Sequence, residues 1–275
     1  CFPITKIIIG ICVPFSLFVV IQNFVLKPLF YSIIDDKGIA DPIIIFLSCI
    51  VLLVSYYYLF RIYDKGEITE LSLKYLPKEI FGGFLFGFLT VSLSIFILYL
   101  LNFYEVYSFS NTQFTARMFT VILFAALVED LFHRGLIVKV IENWLGTHIA
   151  IIIAMLVELQ HVTNPNTNLI SFFHYLIWGY ALTMMYIYTK SIWLPYFFHI
   201  GWNFAQPFYG SNLTGTTDMG DIIQSKFTGP ELLTGGAFGI ENSIFSASFL
   251  IIIGTVFYFI AKKEGKFVEG KLFKG

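Results

Sequence analysis

Long apolar runs leave this chain few ways to fold. A membrane-spanning helix needs about 20 mostly apolar residues. Eight stretches of the 275-residue sequence approach or exceed that length: 5–26, 41–63, 80–101, 115–143, 146–162, 168–190, 191–206 and 243–262. Composition agrees, with 57% hydrophobic and 13% charged residues against about 45–50% and 25% in an average soluble domain. Mean hydropathy is +0.78. So few charges cannot cover the surface of a soluble globule. A cytosolic enzyme, a nucleic-acid binder and a disordered tail are excluded. The expectation is an all-α polytopic membrane protein of about eight transmembrane helices. It reads as one integral membrane domain over 1–275, with no internal repeat.

The net charge of −1 implies no polyanionic partner, so nucleic acid is not expected. Cys1, Cys12 and Cys49 form no CxxC pair, so neither a disulfide framework nor a zinc site is expected. The chain starts at Cys1 rather than Met, and no signal peptide is read from it.

Positive charges orient the spans. Lys6, Arg61, Lys65, Lys74, Lys78, Lys139, Lys190, Lys262, Lys263, Lys266, Lys271 and Lys274 fall on one side of the eight-span scheme. Lys27, Lys37, Arg117 and Lys226 fall on the other. Both termini are therefore expected in the cytoplasm, and the loop at 207–242 outside. The segment 64–79 reads as a cytoplasmic interfacial loop. The Phe, Ile and Lys usage fits a bacterial cell membrane.

A charge at the centre of a spanning helix costs about 2.5–3.5 kcal/mol on insertion scales. Intramembrane polar residues are therefore functional candidates, and most lie between 129 and 203. The fourth span holds Glu129, Asp130, His133 and Arg134. The fifth holds Glu158 and His161, the sixth His174, and the seventh His199 and Asn203. Residues three or four apart share a helix face. That rule pairs Asp130 with Arg134, Glu129 with His133, Glu158 with His161, and His199 with Asn203. Helical rise places Glu129 about 21 Å, His161 about 22 Å, His199 about 12 Å and Asn203 about 18 Å above the cytoplasmic helix ends. One carboxylate, two imidazoles and an amide at similar depth suit hydrolysis by water. The carboxylate can take the proton, and imidazole or amide N–H can face a developing oxyanion. His174 reads as a packing or snorkelling residue, His148 as interfacial, and the tryptophans as belt and packing residues.

The run Glu129-Asp130-Leu131-Phe132-His133-Arg134-Gly135, then His161 with Asn164-Pro165 after it, then His199-Ile200-Gly201-Trp202-Asn203 resembles the CPBP family. These are the CAAX-protease and bacteriocin-processing group of intramembrane glutamate proteases. The resemblance covers about 120–206, within a motif-bearing core of about 115–206. It implies a conical intramembrane catalytic cavity and an endopeptidase acting on membrane-associated peptide or protein substrates. It implies Glu129 as the base that activates water, His161 as its support, and His199 with Asn203 as the oxyanion site. Asp130 stands at the family's second acid, one methylene shorter, and Arg134 at its structural arginine. No metal or other cofactor is implied. His133 stands where Phe is usual, and Val157 and Glu158 also depart from the pattern.

Two other readings remain open from the residues alone. Glu158-Leu159-Gln160-His161 is a single Glu-x-x-His unit, half of what a di-metal bundle uses, so a metal-dependent membrane enzyme or transporter is one. The other is a non-catalytic scaffold on the same fold that binds a partner membrane protein.

Overall fold

The computed structural model describes residues 2–64, 68–110, 116–217 and 220–271. Cys1, Lys65 and Lys274 lie outside the described residues, as does the side chain of Arg117. The chain is helical almost throughout. In order come α1 (Pro3–Ile21), a π-helical turn (Gln22–Leu26), α2 (Lys27–Tyr31), α3 (Lys37–Asp64), α4 (Leu76–Leu100) and strand β1 (Tyr104–Phe109). Then come α5 (Ala116–Glu129), a π-helical segment (Asp130–Val138), α6 (Lys139–Leu145) and α7 (Thr147–Val157), which tightens into a 3-10 turn (Glu158–Thr163). Helices α8 (Leu169–Thr189) and α9 (Trp193–Phe208), strand β2 (Ile223–Phe227), α10 (Glu231–Thr234) and α11 (Ile244–Lys263) complete it.

All eight apolar stretches are helical. Five helices among the described residues are long and apolar enough to cross a membrane: Pro3–Tyr31, Lys37–Tyr63, Leu76–Leu100, Leu169–Thr189 and Ile244–Lys263. The expected fourth span carries the charged π segment, and the fifth and seventh are short. The protein is polytopic, with large apolar side chains facing outward, such as Phe81 (78% exposed) and Phe24 (76%).

Helix ends follow local chemistry. Asn168 caps α8, its Oδ1 accepting from the N–H groups of Ile170 and Ser171, while Ser171 Oγ accepts from Asn168 N. This is a reciprocal capping box. Gly146, at φ +88°, breaks α6 from α7, a backbone region where glycine carries little cost.

Helices α4 and α9 pack at backbone distance. A Cβ on Gly87 would collide with the carbonyl oxygen of Phe198, and one on Gly201 with that of Phe84. Small residues at such crossings let transmembrane helices approach closely. Helix α9 serves two apolar clusters. Tyr196 and Ile200 join Leu127, Leu131 and Leu136, while Phe198 and Trp202 join Val91, Trp178 and Leu182. His199 therefore stands at the seam between them.

The loops bearing most of the cations meet at one end. Lys139 Nζ donates to Glu70 Oε2 at 2.6 Å, Lys190 Nζ to Glu142 Oε2 at 2.7 Å, and Val268 N to Thr147 Oγ1 at 2.8 Å. The segment 64–79 does not simply lie on an interface. Glu70 is fully buried and also accepts from Tyr56 Oη. At the opposite end β1 and β2 pair antiparallel, Tyr104 facing Phe227 and Phe109 facing Ile223.

Candidate active site

Glu129 ends α5, where the helix widens into the π segment. Its side chain is 21% exposed, with Oε1 3.6 Å from His161 Nε2 and Oε2 3.8 Å from His199 Nε2. His161 comes from the 3-10 turn after α7, His199 from α9. One turn along α9, Asn203 lines the same cavity of about 160 Å³ as Glu129, His161 and His199. The four residues singled out in the sequence thus share a cavity wall.

Asp130 does more than pair with arginine. It is fully buried, with Oδ1 3.5 Å from Arg134 Nη1 and Oδ2 3.1 Å from His199 Nδ1. An ionised carboxylate only accepts hydrogen bonds. The contact suits a proton on His199 Nδ1 donated to Asp130, with Nε2 turned towards Glu129. Such a carboxylate–imidazole contact fixes ring orientation and tautomer.

Glu158 is the other partner of Arg134, Oε1 lying 2.7 Å from Nη2. The same Oε1 lies 3.1 Å from His133 Nδ1, and Gln160 Nε2 lies 3.1 Å from His133 Nε2. His133 therefore engages Glu158 and Gln160 rather than Glu129, contrary to the i, i+4 expectation. His133 lies in the π segment Asp130–Val138, where its ring is turned to the 3-10 turn that carries Glu158 and Gln160. His133 faces a second cavity, of about 560 Å³, walled by Ile11, Phe15, Phe132, Ile137 and Val157. Glu129 and His161 border both cavities.

The sequence reading missed one wall residue, Glu241. His174 packs against Trp178 and Trp202, in the packing role expected of it, and also lines the catalytic-type cavity. Glu241 comes from the 207–242 loop and lines it as well. Its one signal was an acid directly before the last apolar run. Trp178 packs edge-on to the His199 ring at 5.0 Å, a site contact rather than a membrane belt.

Glu129, Glu158 and His161 present ligand atoms within 4.8 Å of one another, a spacing that can hold a metal ion.

Residues 111–205 match the family model of the Rce1-like proteins, type II CAAX prenyl endopeptidases. The site-bearing segment is thus similar to the Rce1-like family. The match supports the CAAX-protease resemblance over this segment. No curated protein and no solved structure matches the chain. All four candidate residues fall inside the Rce1-like segment, whereas Glu241 lies outside it.

Proposed function

We propose that the protein is an intramembrane endopeptidase that hydrolyses peptide bonds with a glutamate-activated water. The observation that carries this reading is the Glu129 carboxylate held 3.6 and 3.8 Å from two imidazole Nε2 atoms on a cavity wall. A water there can hydrogen-bond Glu129 and an imidazole together. Glu129 takes its proton as the oxygen attacks the peptide carbonyl carbon. Charge moves to the carbonyl oxygen, where Asn203 Nδ2 and a protonated His199 Nε2 can donate. Glu129 then returns the proton to the leaving amine as the C–N bond breaks. His161 supports the carboxylate, and Asp130 holds His199. Substrate is a membrane-associated peptide or protein, and both termini lie in the cytoplasm.

Glu129→Gln tests this. It keeps size and removes the base, so cleavage of a peptide library by protein in lipid should fall by at least about 10²–10⁴-fold. Expression and thermal stability should hold. Full cleavage by the folded variant would defeat the mechanism. The Glu129–Glu158–His161 cluster favours a second reading, a metal-dependent enzyme. Against it, the Arg134 guanidinium lies 2.7 Å from the Glu158 carboxylate and already neutralises it, and that cation repels a metal. Metal analysis with chelator treatment separates the two: one bound ion per chain and loss of activity on chelation would favour the metal.

A further inference from the structure

Glu241 sits in the turn Ile240–Asn242 that leads into α11. It is 2% exposed and forms part of the wall shared by Glu129, His161, His199 and Asn203. Its Oε1 accepts from the backbone N–H of Thr214 at 2.7 Å. Its Oε2 accepts from Gln206 Nε2 at 3.0 Å and from Trp202 Nε1 at 3.3 Å. All three donors are neutral. Among the described residues lining the cavity, none is Lys or Arg. Beside Glu241 stands His174, its Nε2 3.9 Å from Oε2, beyond hydrogen-bond length. His174 Nδ1 has no hydrogen-bond partner among the described residues although the side chain is buried.

This wall therefore offers a buried carboxylate with no lysine or arginine beside it. Burying a carboxylate without a counter-charge is costly. An ammonium or guanidinium group supplies both the charge and several N–H donors. We propose that Glu241 and His174 form a subsite that selects a lysine or arginine side chain next to the scissile bond. The proposal rests on the endopeptidase reading of the same cavity and names its substrate class: internal peptide bonds flanked by a basic residue. A glutamate at that position, or a free C-terminal carboxylate, would meet like charge. The subsite adjoins the reacting groups, because Trp202 and Gln206 flank Asn203 on α9.

The test uses one peptide series that differs only beside the scissile bond, with lysine, arginine, norleucine or glutamate. The readout is the ratio of kcat/KM for the lysine peptide to that for the norleucine peptide. The wild-type protein in lipid should favour lysine by roughly 30-fold or more, the scale of one desolvated charge pair. Glu241→Gln should bring the ratio close to one. A wild-type ratio near one overturns the subsite without any variant, and so does an unchanged ratio in Glu241→Gln. Binding of the same peptides to the Glu129→Gln protein, read by fluorescence anisotropy, separates this proposal from the protease reading. Tighter binding of the lysine peptide supports the subsite even where no peptide is cut. Equal binding of the lysine and norleucine peptides defeats it.

Discussion

Asp130 and Glu129 are adjacent acids with different surroundings. Asp130 is enclosed between Arg134 and His199, while Glu129 borders two cavities. Asp130→Asn should therefore lower melting temperature and activity together, since breaking a buried pair is strongly destabilising, by about 3–5 kcal/mol where a partner is lost outright. Asn203→Ala should keep the fold and lower kcat by roughly 10²–10³-fold, the scale of one oxyanion donor. Unfolding of Asn203→Ala on the scale of Asp130→Asn would assign the amide to helix packing. Glu241 brings pH dependence. It lies outside the spanning helices, and burial pushes its carboxyl up to about 7, against the hydrogen bonds from Gln206, Trp202 and Thr214. Binding a basic side chain needs the carboxylate, so lysine preference should be full above pH 7 and fall as pH drops through it. The groups facing Glu241 are His174 on α8 and His199 on α9. Their protonation adds positive charge and acts in the same direction. Protonation of Glu129 slows lysine and norleucine peptides alike and cancels in the ratio. A ratio constant from pH 5.5 to 8.5 would contradict this assignment.

At the scale of elements, the π segment and the α4–α9 crossing shape the site. The π segment turns Asp130 towards His199 and His133 towards Glu158, so one short run supports two neighbouring elements. The crossing fixes the helix that carries His199 and Asn203. Gly87→Ala and Gly201→Ala should each force backbones apart and cost about 1–3 kcal/mol or more, seen as a lower melting temperature in detergent. Gly82→Ala, on the same helix as Gly87 but with open space at its Cβ, is the control and should leave the melting temperature unchanged. Equal effects at Gly82 and Gly87 would show that helix propensity rather than packing is being measured. The α-helical spacing rule succeeded for Asp130 with Arg134 and failed for Glu129 with His133. Both lie on the same run, and what separates them is the partner on a neighbouring element: Glu158 takes His133, while His161 and His199 face Glu129.

For the whole molecule, segregation of the lysines predicts the topology. A reporter fused after Gly275 should be active only if it is of the cytoplasmic type, and an extracytoplasmic signal there would reverse the orientation. The cavity is lined by Thr214 and Glu241 from the loop opposite the lysine-rich end, so the same experiment says which side the site adjoins. Hydropathy by itself determined the helical membrane class and the places of the five long apolar helices. A run of apolar residues must satisfy its backbone internally wherever it lies in a bilayer. Intramembrane cost likewise singled out Glu129, His161, His199 and Asn203 as candidates, and these four line one cavity. Only the tertiary structure decided that Asp130 contacts His199, that His133 meets Glu158, and that Glu70 is buried. It alone carried Glu241 from a glycine-rich loop to the cavity wall. Those facts depend on contacts between residues distant in sequence and on one local change of helical pitch, and neither is written in the order of the side chains.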